Sequence, residues 1–328
     1  MTAPPDLPDP SRELRQLVEA GRFREALDAQ SRWGAETTGR PEVELLSATA
    51  ATRIGEYSLG VTYAESALDQ FRRRADSDGR MRAMNLLGAI AFEQGRLDDA
   101  ERCFGEALDQ ARMLEDTRMA AHASNNLASV AHLQSRSDLA LSLYRSALLE
   151  YQRLGDRRGT AQTYHNLGLA FRQREDWDDA DDSSLQAVRH AEQVAEPSLL
   201  ALVIMGRAEL HLHRDELGLA ERELTRADQL VQEAVDDIGL ADAGRLRGLL
   251  ALRRGDSLAA EGAAREARAV AERIGSVQLM AECTAVLATA LHRLGREAES
   301  APFRTEVRTI FTRLGATNLL QDFERMLM

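Results

Sequence analysis

A short segment of this chain recurs at a fixed interval of 40 residues. The stretch "HNLGLAFRQREDWDDA" at 165–180 aligns with "NNLASVAHLQSRSDLA" at 125–140 and with "NLLGAIAFEQGRLDDA" at 85–100. A period of this length indicates a repeat array, because each unit can bury its apolar face only against its neighbours. We therefore expect one extended array in place of separate globular domains.

Small residues hold three fixed positions in these units. They are Gly88, Ala128, Gly168, Ala208, Gly248 and Ala288 in the first position, Ala100, Ala140, Ala180, Ala220 and Ala260 in the second, and Ala107, Ala147, Ala187, Ala227 and Ala267 in the third. Two helices can approach closely only where no bulky side chain lies between them. Glycines such as Gly95, Gly255 and Gly295 indicate turns between the helices. Each unit is thus predicted to contain a helix, a turn, a second helix and a linking turn.

The pattern resembles the tetratricopeptide repeat family. Tyr164, the Leu167-Gly168 pair, Phe171 and Ala180 match that family's aromatic, Leu-Gly, aromatic and Ala positions. The resemblance implies an all-α fold, a right-handed superhelical solenoid of about eight helix-turn-helix hairpins. The later units resemble the extended repeats of bacterial peptide receptors, regulator domains and scaffolds.

The period also predicts where the units begin and end. The repeats are expected at approximately 11–39, 40–79, 80–117, 118–157, 158–197, 198–237, 238–277 and 278–317. Residues 1–10 contain four prolines and are expected to be disordered. Residues 318–328 are expected to form a C-terminal capping helix, because their apolar residues lie on one helical stripe. The alternative is that this stripe forms a homodimer contact. The stripe consists of Leu319, Leu320, Phe323, Met326 and Leu327.

A polar stripe on the first helix of each unit is the candidate binding surface. Helical spacing places four polar residues of one unit on the same face, and the neighbouring units carry equivalent or adjoining polar residues. These residues are Arg82, Asn85, His122, Asn125, Asn126, Ser129, His132, Gln162, His165, Asn166 and Arg172. The resemblance implies that this face lines a concave groove. Successive Asn amides, which donate and accept, could bracket a peptide backbone there. Alternatively, these amides hydrogen-bond neighbouring helices.

The same wall becomes more basic toward the C-terminal units. It contains Glu209, His213, Arg245 and Arg253 in the sixth and seventh units. Guanidinium groups bind carboxylates well, which predicts an acidic peptide segment at this end of the groove. The alternative is that the arginines pair with Asp242 and Glu282 within the chain.

Charge and composition exclude several classes of partner. The chain has 41 basic and 53 acidic residues, so its formal net charge is −12. A surface of this sign repels phosphate groups, which argues against nucleic acid and anionic membranes as partners. The N-terminal residues lack a signal-peptide pattern and no apolar run is long enough to span a membrane, so a cytoplasmic location is expected.

The sequence contains no convincing catalytic or metal-binding pattern. Two cysteines, Cys103 and Cys283, are too few for a zinc site, and the acidic cluster at 176–182 fits a helix start. We expect no catalytic residues, cofactor or metal. The predicted function is that of a non-enzymatic scaffold or adaptor that binds a protein or peptide segment in its groove. The alternative is a regulatory sensor whose superhelix changes shape when a peptide binds.

Overall fold

A computed structural model describes residues 9–34, 39–234 and 236–328. Over these residues the chain forms 17 α-helices and no β-strand. The helices are α1 (Pro10–Glu19), α2 (Phe23–Trp33), α3 (Pro41–Arg53), α4 (Tyr57–Arg73), α5 (Ser77–Glu93), α6 (Leu97–Met113), α7 (Thr117–Leu133), α8 (Ser137–Arg153), α9 (Arg157–Gln173), α10 (Trp177–Ala191), α11 (Pro197–His213), α12 (Leu217–Ala234), α13 (Asp237–Arg253), α14 (Ser257–Ile274), α15 (Val277–Arg293), α16 (Glu297–Arg313) and α17 (Thr317–Leu327).

Consecutive helices pair into hairpins, from α1 with α2 to α15 with α16. We call the odd-numbered member of each hairpin its first helix and the even-numbered member its second helix. From α5 onward the first helices begin one every 40 residues, as does α17. The predicted all-α superhelical solenoid of hairpins with a C-terminal capping helix is confirmed.

Aspartate caps set the starts of several first helices. The Asp76 carboxylate accepts a hydrogen bond from the backbone N–H of Gly79 at 2.9 Å, and Asp156 does the same for Gly159. Such a cap satisfies an N–H group that has no partner inside the helix. From the third repeat onward, the first helices therefore begin one to three residues before the predicted repeat boundaries.

The N-terminal end differs from the expectation. Residues 1–8, most of the segment expected to be disordered, lie outside the described residues. Asp9 and Pro10 are ordered, because the Asp9 carboxylate caps α1 at the N–H of Ser11 and Pro10 occupies the first turn. Proline is well suited to that position, since its fixed φ matches the helix and its missing N–H needs no partner.

Alanines at the predicted small positions lie where the helices touch. Ala100, Ala140, Ala180, Ala220 and Ala260 are all fully buried. The close approach that was expected from their spacing is therefore present in each of these hairpins.

The superhelix is tight enough for its C-terminal part to contact its N-terminal part. We call the turn within a hairpin a hairpin turn and the turn between hairpins a linking turn. The Ser276 hydroxyl donates to the Glu93 carboxylate at 3.0 Å, and the Asn318 backbone N–H donates to the Ser135 hydroxyl at 3.2 Å. Each pair is separated by 183 residues in sequence. Linking turns of the last two repeats thus sit on hairpin turns of earlier repeats.

Helix α17 is anchored by its apolar stripe. Phe323 is 0% exposed and belongs to one apolar cluster with Val307 and Phe311 of the eighth repeat and with Ala91 and Leu133 of the third and fourth. The capping helix therefore covers the end of the array and also reaches the early repeats. Among the described helices, none combines the length and the apolar character that crossing a bilayer requires.

Candidate functional site

The first helices form the inner wall of the superhelix. Each contacts the first helix of the next repeat, from α3 with α5 to α13 with α15. Helices that contact each other directly across repeats lie on the shorter radius of a curved array. The predicted site residues all lie on first helices, α5, α7, α9, α11 and α13. We call this surface the concave wall.

A buried charged network joins four consecutive first helices at the centre of the concave wall. Glu209 on α11 forms ion pairs with Arg172 on α9 at 2.6 Å and with Arg245 on α13 at 2.9 Å. Arg245 also pairs with Asp242 at 2.7 Å and with Glu282 on α15 at 3.2 Å. The structure thus brings together three predicted residues, Arg172, Glu209 and Arg245. We call these three, together with Asp242 and Glu282, the charge network.

Burial and pairing together set the ionisation of this network. Burial alone would raise the pKa of Glu209, but Arg172 and Arg245 hold it well below its ordinary value. Burial lowers the pKa of Arg245, yet its three carboxylate partners raise it well above the ordinary value. The pKa of Glu282 is raised by burial, which Arg245 offsets only in part. The network has two cations and three carboxylates, so it carries no spare positive charge.

Three histidines of the wall surround this network. Burial, with a smaller contribution from the nearby Arg172, lowers the pKa of His132, His165 and His213 to about 4. The three rings are therefore neutral near pH 7. The His165 ring packs on Gly206, where a Cβ atom would lie 2.5 Å from a ring carbon.

Helix α17 lies over one side of the charge network. Asp322 is close enough for Arg172 and Glu209 to influence its carboxyl group, although burial still raises its pKa. Arg325 lies 4.0 Å from Glu175 at a hairpin turn, and Arg293 donates to the carbonyl of Met326 at 3.3 Å. A cavity of about 10 Å³ lies among α9, α10 and α11, where His165, Arg172 and Ser184 are part of its lining. Asp322 was not among the predicted site residues, because its only signal in the sequence is its place beside the apolar stripe.

The asparagine amides form contacts between adjacent first helices. Asn126 donates to the side-chain oxygen of Asn85 at 3.1 Å, and Asn166 donates to that of Asn125 at 3.3 Å. Thr163 also donates to Asn125 at 3.2 Å. These bonds correspond to the alternative considered for the sequence, in which the amides join helices. Only the amide atoms outside these bonds remain for a ligand.

The other predicted residues lie along the wall without joining the charge network. Arg82 pairs with Glu42 and Asp78, His122 packs edge-on against the Tyr151 ring, and the Ser129 and Tyr144 hydroxyls are 3.0 Å apart.

Gln162 accepts a long hydrogen bond from Arg158 at 3.4 Å. Arg253 is exposed, and its closest carboxylate, that of Asp215, is 4.0 Å away. Of the two predicted basic residues in the later repeats, Arg253 is the one with an accessible guanidinium group.

Larger cavities lie away from the wall. One of about 420 Å³ is bounded by Ala111, Ala121 and Ala147 between the third and fourth repeats, and one of about 540 Å³ lies beside Tyr57 and Gly275. Within the described ranges no group of three or more candidate metal ligands occurs. Both cysteines are buried and free.

The chain was compared with known families and structures. A tetratricopeptide repeat family model matches residues 41–113 and 119–193. No curated protein matches the chain significantly.

Among solved structures, the Rap conjugation gene regulator of the plasmid pLS20 in complex with the Phr* peptide is 12% identical, with a TM-score of 0.68 over 97% of each chain. A Rap protein complexed with competence and sporulation factor is 14% identical, with a TM-score of 0.65 over 97% of this chain and 95% of that one. Aspartyl phosphate phosphatase F from Bacillus subtilis is 13% identical, with a TM-score of 0.55 over 99% and 96%. The TM-scores show a shared fold, and at identities this low the similarity shows the fold alone.

Proposed function

We propose that this protein is a non-enzymatic adaptor that binds a peptide or protein segment on its concave wall. Residues 41–113 and 119–193 match a tetratricopeptide repeat family model, and the flanking hairpins have the same architecture. The charge network is the observation that carries the proposal. Removing five charged groups from water has a large desolvation cost, and apolar residues would pack the helices as well. Binding of a polar ligand at this surface would explain why the chain has these charged residues in place of apolar ones.

The partner is a polypeptide in this proposal. Two solved structures with this fold are complexes, one with competence and sporulation factor and one with the Phr* peptide. A ligand backbone could bind the amide atoms of Asn85, Asn126 and Asn166 that the bonds between helices do not use. An acidic ligand side chain is expected to meet Arg253, because Arg245 already contacts three carboxylates. We propose a cytoplasmic location, with neither nucleic acid nor a membrane as partner.

Site-specific photo-crosslinking in cells tests the adaptor function. A photoreactive amino acid is placed at Arg253 or Leu169 on the concave wall, and at exposed Leu149 on α8 as the control. The expected result is one or more discrete adducts from the wall positions, identified by mass spectrometry, and none of these from Leu149. Identical adducts from both faces, or none from the wall, would contradict the proposal.

A regulatory sensor is the second candidate, and the position of α17 favours it. The charges of Arg172 and Glu209 influence Asp322 on α17, so a ligand bound at Arg172 would alter the electrostatic surroundings of α17. Helix α17 follows the linking turn at Leu314, which packs against Gly95. Ligand binding would therefore act on the contact between early and late repeats. The homodimer through α17 that the sequence also allows is disfavoured, since Phe323 is buried within its own chain.

A further inference from the structure

The contact between early and late repeats follows a simple rule. A Cβ atom on Gly55 would lie 2.7 Å from the carbonyl oxygen of Ile274, and one on Gly95 would lie 3.0 Å from the Leu314 side chain. In each contact, a residue at the C-terminal end of a second helix packs on the glycine of a hairpin turn. Ile274 is the last residue of α14, and Leu314 directly follows α16. Ile274 and Leu314 are only 3% and 1% exposed as a result.

The equivalent linking turns four repeats earlier are uncovered. Leu114 and Leu154 occupy the positions of Ile274 and Leu314, and they are 44% and 39% exposed. The backbone of these turns has the same conformation, because the residue that follows has a positive φ in all four turns. These residues are Glu115 (φ 56°), Gly155 (φ 65°), Gly275 (φ 72°) and Gly315 (φ 64°).

The equivalent hairpin turns of the late repeats are also uncovered. Gly255 and Gly295 have φ of 79° and 72°, close to the 81° and 69° of Gly55 and Gly95. No atom of the described chain lies within 4 Å of a Cβ built on either. The chain thus carries two free edges whose local structures match the two sides of its own internal contact.

We propose that these edges bind each other in a second copy of this chain. Leu114 and Leu154 of one copy would contact Gly255 and Gly295 of another copy. The two leucines are 40 residues apart, and so are the two glycines. The same spacing separates Ile274 from Leu314 and Gly55 from Gly95 in the internal contact. Because the two edges are different surfaces, the association is head to tail and can continue beyond a dimer.

Helix α17 is compatible with this arrangement. It occupies the position of the first helix of a ninth repeat, and its apolar stripe is already covered. The stripe is therefore not the contact with a second copy, and the two turn edges are. The net charge of −12 on every copy opposes association, so salt is expected to strengthen it.

Analytical ultracentrifugation of the full chain tests the proposal. The weight-average mass is expected to rise with concentration up to about 1 mM, the range of weak interfaces, and to rise more in high salt. Leu114→Asp with Leu154→Asp should remain monomeric. The matched control, Leu139→Asp with Leu149→Asp, changes two comparably exposed leucines on α8 and should behave like the wild type. A wild-type chain that is monomeric throughout, or association unaffected by the first pair, overturns the proposal.

A mixing experiment distinguishes head-to-tail binding from a symmetric dimer. Gly255→Asn with Gly295→Asn adds side chains on the other edge while keeping a residue type that tolerates left-handed backbone. Each double variant alone should be monomeric, whereas an equimolar mixture should form a heterodimer and stop there, since one intact pair of edges remains. A mixture that stays monomeric overturns the head-to-tail arrangement.

Discussion

At the scale of single residues, the buried histidines predict how stability depends on pH. The pKa of His132, His165 and His213 is lowered from 6.5 to about 4 by folding. The unfolded chain therefore binds protons first as the pH falls. The stabilisation is fully present above pH 6.5 and is lost as the pH falls toward 4, at up to about 1.4 kcal/mol per pH unit for each histidine.

Thermal unfolding between pH 7 and pH 5 measures this effect. The melting temperature should fall across that interval, before most carboxylates titrate. His213→Gln, on the partly open surface of the wall, should make the decrease shallower. An equally steep decrease in His213→Gln and in the wild type would show that the His213 ring is not buried in neutral form.

The sequence named part of the charge network, including Asp242 and Glu282 as the carboxylates that pair with Arg245. Helical spacing selected Arg172, Glu209 and Arg245, because residues 40 apart occupy the same place in each repeat. It did not predict that they form one network, since side chains on α9, α11 and α13 meet only after the repeats are rotated on each other. The electrostatic influence of this network on Asp322 was not predicted either, because it depends on where α17 packs.

At the scale of elements, α17 is predicted to be held mainly by one side chain. Phe323→Ala removes a fully buried ring, which typically costs about 3 kcal/mol, and a terminal helix can respond by undocking alone. Hydrogen exchange measured by mass spectrometry should show faster exchange in α17 and unchanged exchange in α9 to α12. Met328→Ala, at an exposed neighbouring position, is the control and should leave α17 protected.

If α17 keeps its protection in Phe323→Ala, the apolar stripe is not what anchors it.

Both the stripe and the hairpins could be predicted from sequence, because helical periodicity and the spacing of small residues are local properties. The exact helix starts could not, since they depend on caps such as Asp76 and Asp156, which lie outside the repeated segment used to set the boundaries.

At the scale of the whole molecule, the contact between early and late repeats is predicted to control the compactness of the superhelix. This contact could not be predicted from the repeat pattern. It joins residues 183 apart in sequence, so it depends on the sum of the small rotations between all the repeats that lie between them. Gly55→Asn keeps the left-handed backbone but directs a side chain at the Ile274 carbonyl. The early and late repeats should separate, and small-angle X-ray scattering should show a larger radius of gyration.

Gly21→Asn is the matched control for this change. Gly21 occupies the equivalent hairpin turn of the first repeat with φ 72°, and no described atom lies within 4 Å of a Cβ built there. Both variants carry the same backbone cost, so only the lost contact distinguishes them. An identical scattering profile for the two variants would mean that the hairpin stack alone sets the pitch. A larger radius for Gly55→Asn only would mean that the chain holds itself closed, which is the property that a ligand-responsive superhelix requires.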